Sequence, residues 1–291
     1  MNDAFSKCHP LVNFLFFVGA IVCGAILQHP AYVAVGTVCG AVYYVLLRRS
    51  KAVKPMALML LLALVMTAVN PVFNTRGEHV LFHLLGRPYT QEALVYGAAL
   101  SGVLLTMLLW LGCYNAVLTG DKFTALFGSI LPAISLLLVM VLRMVPNLMR
   151  KTRQIVGARR CVGKGTMEDA PTGEKLRGGV TVLSAMTSWA LEGSIVTADS
   201  MRSRGYGATR RSSFMIYRMT GTDALVLTVM VLLLAVVITA VCLGQAAVAF
   251  LPHLTAAPVS WGVCAYGAYL LLPAVLHGKE ALQWRISRSG I

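Results

Sequence analysis

Six long apolar segments recur along the 291-residue chain, and they constrain its fold more than any other feature. A helix of about 20 apolar residues can cross the hydrocarbon core of a bilayer. Charged residues make up only 12% of the chain, against about 25% in soluble domains. We therefore predict an all-α multi-span membrane protein with about six transmembrane helices and a cytoplasmic insert. The six segments are residues 11–28, 31–47, 56–69, 93–118, 223–243 and 259–276.

The second apolar segment carries two glycines four residues apart, Gly36 and Gly40. Small residues at this spacing allow two membrane helices to approach each other closely. Ordinary glycines of a membrane helix would give the same pattern, so the sequence leaves both interpretations open.

The distribution of Lys and Arg predicts the orientation of the spans. Residues 48–54 carry four positive charges and no negative one, and residues 146–222 carry 13 Lys and Arg against 5 Asp and Glu. Because positively charged segments favour the cytoplasmic side, we place both in the cytoplasm. Residues 244–258 hold no Lys, Arg, Asp or Glu, which suits an external loop. Six spans then leave both termini in the cytoplasm.

Residues 123–143 form a further apolar segment, which is interrupted by Pro132 and closed by Arg143 and Pro146. Two cytoplasmic segments must be separated by an even number of crossings, and the third and fourth apolar segments already supply two. We therefore expect this segment to be an interfacial or re-entrant helix rather than a span.

These boundaries divide the chain into four expected parts. A four-span membrane bundle is followed by the interfacial helix, by a cytoplasmic insert of two helices and by two C-terminal spans. The parts are residues 1–122, 123–143, 144–222 and 223–291.

The first arm of the insert is predicted to be a basic amphipathic helix that begins at Pro146, since proline is favoured in the first turn. We expect Gly163 and Gly165 to end this helix. A polar, glycine-rich link is expected over residues 166–179. A mostly apolar stripe at helical spacing comprises Leu148, Thr152, Ile155, Val156 and Val162.

The second arm is predicted to be a helix that stops at Gly205, where a glycine can take the left-handed conformation that ends a helix. Arg204 then projects from the last turn, where the helix dipole favours a cation. Asp199 and Arg202 are spaced to pair on the polar face. Its apolar face comprises Val182, Met186, Trp189, Gly193 and Val196.

The end of the second arm resembles a known family. Residues 200–206, Ser-Met-Arg-Ser-Arg-Gly-Tyr, are similar to the second Ala-Arg-Gly signature of the T component of energy-coupling factor (ECF) transporters, the CbiQ/EcfT family. Ser203 stands in the Ala position, and Arg204 and Gly205 match. Further similarity is found at Leu191-Glu192, Thr197-Ala198-Asp199-Ser200 and Arg210-Arg211, and in His9-Pro10-Leu11-Val12-Asn13 near the start of the chain.

The family's first signature, Ala-Gln-x-Ala-Arg-Gly, is degenerate in this chain. Aligned from Ala158 to Gly163 it reads Ala-Arg-Arg-Cys-Val-Gly, so Val162 stands in the Arg position. A shifted alignment would use Ala158, Arg159 and Arg160 instead. Either Arg159 or Arg160 is then the expected docking residue.

The resemblance implies a non-catalytic membrane scaffold with no cofactor of its own. Two cytoplasmic ABC-type ATPases would dock on the two coupling helices, and a membrane S component would capture a vitamin or a transition-metal ion for uptake. The implied location is a bacterial or archaeal cytoplasmic membrane, with the lipid bilayer and no nucleic acid as a partner. The implied coupling residues are Ser203, Arg204, Gly205, Ala158, Arg159, Arg160 and Gly163.

Two other function classes stay open. The basic insert could hold an anionic lipid or nucleotide for a membrane-embedded enzyme, or the bundle could form a channel. Residues 157–165 contain Gly-Lys without the spacing of a phosphate loop, and His79 with His83 would make a weak metal site. The spans hold almost no ionisable residues, which argues against an ion-driven carrier.

Overall fold

The computed structural model describes residues 4–74, 80–84, 87–127, 132–163, 172–208, 217–249, 255–256 and 260–289. Most of these residues are helical. The helices are α1 (Ala4–Lys7), α2 (Pro10–Ile26), α3 (Pro30–Arg48), α4 (Val53–Phe73), α5 (Gln91–Val117), α6 (Gly120–Phe127), α7 (Pro132–Cys161), α8 (Thr172–Ser203), α9 (Gly221–Cys242) and α10 (Trp261–Ser289), with a 3₁₀ turn at Arg49–Ala52.

Within the part of the chain that the structure describes, five helices are long and apolar enough to cross a membrane: α3, α4, α5, α9 and the Trp261–Glu280 part of α10. Helix α2 is also apolar and has 17 residues, which is at the short end of the spanning range. All six predicted apolar segments are therefore helices, and the predicted all-α multi-span membrane fold is confirmed.

The chain forms two compact units. Unit 1 comprises Met1–Lys122 and Tyr217–Ile291, and unit 2 comprises Phe123–Ile216. The five helices found among the described residues to be long and apolar enough to span a membrane belong to unit 1, whereas α7 and α8 belong to unit 2.

Aromatic side chains form the centre of unit 1. Trp110 of α5 is fully buried, contacts Phe16 edge-on and stacks against Tyr43. Its indole Nε1 donates a hydrogen bond of 3.2 Å to the carbonyl oxygen of Gly36. The hydroxyl of Tyr269 donates to the carbonyl oxygen of Phe16 at 2.9 Å. The aromatic rings thus fill the core, and their polar atoms bond to helix carbonyls.

Glycines allow α3 and α5 to pack closely. A Cβ atom added at Gly36 would lie 2.9 Å from Cγ2 of Thr106, and one added at Gly40 would lie 3.1 Å from Nε1 of Trp110. The two predicted glycines therefore do form a close helix contact. Next to it, the hydroxyls of Thr37 and Thr106 are hydrogen-bonded across the interface at 2.8 Å.

The segment between the third and fourth apolar segments, residues 70–92, contains regular structure. Helix α4 continues past Pro71 to Phe73, because a proline in the last turn removes only one backbone hydrogen bond. Strands β1 (Val80–Leu84) and β2 (Arg87–Thr90) then form an antiparallel hairpin before α5. His79 and the side chain of His83 lie outside the described residues. A second, two-residue pairing joins β3 (Val248–Ala249) and β4 (Thr255–Ala256).

Two expected boundaries in the insert are corrected. Pro146 does not start a helix: it lies inside α7, which runs unbroken from Pro132 to Cys161 across the boundary expected at residue 143. The glycine-rich link is also shorter than expected, since α8 begins at Thr172 and includes Gly178 and Gly179. In both places helix-forming neighbours on either side outweigh the local preference of a single proline or of two glycines.

The close contact between α4 and α5 gives a testable prediction. Gly97→Ala would place a Cβ atom 2.8 Å from Cβ of Asn70 and 3.1 Å from the carbonyl oxygen of Thr67. We expect this change to lower the free energy of unfolding by about 1–3 kcal/mol, the usual cost of overpacking, as measured by thermal unfolding in detergent.

Gly24→Ala is the matched control, because its added Cβ would meet Cγ2 of Thr106 at an ordinary 3.5 Å. This variant should be neutral or slightly stabilising, since alanine favours helix. Equal destabilisation by both substitutions would show that close approach at Gly97 does not hold α4 on α5.

Candidate functional site

Helices α7 and α8 of unit 2 pack against each other in antiparallel orientation. The hydroxyl of Thr152 donates to Sδ of Met186 at 3.5 Å, and Nη1 of Arg159 donates to the carbonyl oxygen of Gly178 at 2.7 Å. Later positions in α7 therefore contact earlier positions in α8, which is the pattern of an antiparallel helix pair.

The contact between the two helices combines apolar and cationic side chains. Met186 is buried, and Nζ of Lys151 lies 5.4 Å from the ring centroid of Trp189. A cation over an indole face is attracted by the electrons of the ring. Lys151 thus packs its stem in the interface rather than extending as a free surface charge.

The predicted apolar face of α8 is confirmed over most of its length. Met186 is buried, and Val182, Trp189 and Gly193 are partly buried. Val196 is the exception, with 63% of its surface exposed. On α7, Leu148, Thr152, Ile155 and Val156 are partly buried, whereas Val162, beyond the contact with α8, is 72% exposed.

Helix α8 ends in a Schellman turn centred on Gly205. Gly205 has a φ of 76°, its N–H donates to the carbonyl oxygen of Arg202 at 3.0 Å, and the N–H of Tyr206 donates to that of Met201 at 3.0 Å. This hydrogen-bond pair satisfies two of the carbonyls that a helix end leaves open. The predicted helix stop is confirmed, and it places Arg204 at the C-cap.

The side chains around the C-terminal end of α8 differ in whether they are free to bind a partner protein. Arg204 is exposed, and its guanidinium makes no hydrogen bond or ion pair with the residues that the structure describes. The hydroxyl of Ser203 instead donates to the carbonyl oxygen of Ser200 at 3.0 Å within the helix. Ser203 therefore behaves as a small helical residue, as the family's alanine would. The Asp199–Arg202 ion pair that the spacing allows is not formed among the described residues.

Helix α7 ends in a similar way at Gly163. This glycine has a φ of 73°, and its N–H donates to the carbonyl oxygen of Arg160 at 3.1 Å. Val162 consequently takes the C-cap position that Arg204 takes in α8. In the alignment that pairs Val162 with the family's Arg, Val162 and Arg204 therefore both occupy the C-cap position of their helix.

The two arginines of the degenerate first signature have different surroundings. Arg159 is partly buried and is bound to the carbonyl oxygen of Gly178. Arg160 and Ala158 are exposed, and within the described part of the chain the Arg160 guanidinium has no hydrogen-bond partner. Arg160 is thus the arginine at this end that is available to a partner, and Arg159 fastens α7 to α8.

The two capped ends lie at opposite ends of the helix pair. The cap of α7 comes just after Arg159, which contacts Gly178 near the start of α8. The cap of α8 comes just after Ser203, at the other end of that helix. Since a helix rises about 1.5 Å per residue, roughly 40 Å separates the caps. The unit therefore presents two separate basic tips of similar construction.

No group of three or more His, Cys, Asp or Glu residues that could hold a metal ion is found among the described residues. The chain matches no protein-family model and no curated protein. The resemblance to T components therefore stays a prediction from the residues of the sequence motif.

The cap at Gly205 gives a second prediction. Gly205→Ala forces an L-residue into the left-handed region, which costs about 1–2 kcal/mol. The last turn of α8 should fray, and amide hydrogen exchange at residues 205 and 206 should rise by about tenfold.

The matched control is Gly193→Ala in the same helix, where an added Cβ would meet nothing within 4 Å. That change should stabilise α8 by about 1 kcal/mol and leave exchange at the tip unchanged. Unaltered exchange at residues 205 and 206 in Gly205→Ala would contradict the role assigned to this glycine.

Proposed function

We propose that this chain is the T component of an ECF transporter in a bacterial or archaeal cytoplasmic membrane. In this proposal unit 1 is the membrane scaffold, and α7 and α8 are coupling helices that dock on two cytoplasmic ABC-type ATPases. ATP hydrolysis in those partners would move the coupling helices and so shift a membrane S component that carries a vitamin or a transition-metal ion. The chain itself would be non-catalytic.

The observation that carries the proposal is the exposed Arg204 guanidinium at the rigid end of α8. A Schellman turn fixes the backbone on both sides of this residue, so its side chain starts from a defined position. A planar guanidinium offers five donors that carboxylates and backbone carbonyls can hold firmly. The tip is therefore suited to insertion into an acidic or carbonyl-lined groove on a partner protein.

The second tip supports a partner that is present in two copies. Gly163 caps α7 with the same left-handed turn, and Arg160 is exposed close to it. Two basic tips roughly 40 Å apart suit two separate docking grooves better than a single one. The α7 tip lacks an arginine at the cap itself, so we expect it to bind more weakly than the α8 tip.

The spans of unit 1 offer the apolar surface that a membrane scaffold needs. In the most apolar 18-residue stretch of each helix, only 11% of the residues of α4 and 17% of those of α9 are buried by other parts of the chain. Large side chains such as Leu58 and Leu225 are therefore available to lipid or to the apolar helices of an S component. This division assigns docking of the ATPases to unit 2 and contact with the S component to the membrane helices.

Charge reversal at Arg204 tests the proposal. Arg204→Glu should cost at least about 2–5 kcal/mol of docking free energy, the range for losing one partner of a desolvated pair. Docking of one ATPase would weaken more than about tenfold, and ATP-driven uptake would be lost, while the chain still inserts at normal levels. Co-purification of the ATPases and substrate uptake by cells measure the two effects.

Arg150→Glu provides the matched control, since Arg150 is an exposed arginine in the middle of α7, between the two tips. The same charge change there should leave assembly and uptake nearly intact. Arg160→Glu should give a milder version of the Arg204→Glu defect. Normal assembly and normal uptake in Arg204→Glu would refute the coupling role, and saturable ATP hydrolysis by the isolated chain would favour a membrane enzyme instead.

A further inference from the structure

Both junctions of unit 2 contact the same short segment near the start of the chain. The chain leaves unit 1 after Lys122 and returns at Tyr217. The ammonium of Lys122 donates to the carbonyl oxygen of Ser6, and it donates to Ser6 Oγ at 3.0 Å. On the return side, Oδ1 of Asp223 accepts a hydrogen bond of 3.2 Å from the backbone N–H of His9. Residues 5–9, which we name the N-terminal clip, thus meet both junctions.

The contact at the outgoing junction is a buried cation. Lys122 is only 9% exposed, and besides the clip its Nζ donates to the carbonyl oxygen of Val117 at 3.1 Å. Val117 is the last residue of α5, where the helix dipole favours a positive charge. A buried ammonium must have its donors satisfied, and Ser6 supplies two of the acceptors. The end of α5 is therefore bonded to the clip through Lys122.

The contact at the returning junction is a buried carboxylate. Asp223 is 5% exposed and forms a capping box with Thr220 at the start of α9, with Oδ2 accepting from the Thr220 N–H at 3.0 Å. Oδ1 remains for His9, and the Cys8 side chain also donates to this carboxylate. The His9 ring meets the ring of Tyr217 edge-on at 6.4 Å. The start of α9 is therefore bonded to the clip as well.

The clip has an anchor of its own. Phe5 is fully buried and packs edge-on against Phe16 at 5.2 Å and Phe17 at 6.1 Å between ring centroids. Lys7 forms an ion pair with Glu280 of α10. The clip is thus held by α2 and α10 independently of the two junctions that it contacts.

We propose that the N-terminal clip is a positioning element within unit 1 that holds together the end of α5 and the start of α9, the two places where the chain leaves unit 1 and re-enters it. The two junctions are far apart in sequence, yet each gives a charged, buried side chain to the same five residues. Loss of the clip releases both junctions together. This inference concerns the structure of unit 1 and holds whether or not the chain is a transporter subunit.

Hydrogen exchange of the full chain in lipid nanodiscs, read by mass spectrometry, tests the proposal. Phe5→Ala removes the anchor without changing either junction. We expect exchange to rise at least about tenfold both at Leu118 and at residues 220–224, where Thr220 and Asp223 bond to each other. Lys122→Met removes the bonds to Ser6 but keeps the apolar stem and leaves the Phe5 anchor in place, so it should raise exchange at Leu118 and leave residues 220–224 unchanged.

Tyr43→Ala is the control for general loss of stability, because Tyr43 is buried in the aromatic core and stacks on Trp110, not on the clip. It should raise exchange in the helices around it without a selective rise at the junctions. A rise at only one junction in Phe5→Ala would overturn the proposal, as would an equal junction-selective rise in Tyr43→Ala. If Phe5→Ala does not fold, Phe5→Leu, which weakens the anchor without removing it, should give a smaller rise at both junctions, and a rise at only one of them would overturn the proposal.

Discussion

The left-handed turn at Gly205 is the feature on which the functional account depends. A helix that ends in solvent leaves carbonyl groups without partners, and here the N–H groups of Gly205 and Tyr206 fold back to satisfy two of them. Only glycine takes this conformation without strain, so the end of α8 is fixed at one residue. Arg204, immediately before it, is presented from a rigid tip rather than from a fraying end.

The rest of the structure supports such a tip with two kinds of packing. In unit 2 the antiparallel contact of α7 with α8 is mixed, with Met186 buried and Lys151 lying over Trp189, so the pair holds together without a large apolar core. In unit 1 close helix contacts at glycines and a central aromatic cluster around Trp110 replace the hydrophobic effect, which gives little driving force between helices in lipid. The buried groups Lys122 and Asp223 mark the places where the chain passes from one unit to the other.

The sequence predicted the parts of the fold that depend on local composition. Apolar segments became helices because a bilayer leaves no alternative, and the stop at Gly205 followed from the conformational freedom of glycine. The helix start predicted at Pro146 was wrong, because proline lowers helix stability without preventing a helix whose flanking residues strongly favour helix. The difference between Arg159 and Arg160 could not be predicted, since it comes from the contact with Gly178 across the helix pair. The N-terminal clip could not be predicted either, because its contacts join residues that are far apart in the sequence.

Site-specific photo-crosslinking measures the central claim most directly. A photoreactive phenylalanine analogue at Tyr206, which is 50% exposed at the tip of α8, should form an adduct with an ABC-type ATPase in native membranes. The same analogue at Leu191, which is 62% exposed and lies about 20 Å along α8 from either tip, should give little of that adduct. We expect mass spectrometry of the Tyr206 adduct to identify peptides from a nucleotide-binding domain. No ATPase adduct at Tyr206, or an equal yield at both positions, would contradict the assignment of this tip as the coupling site.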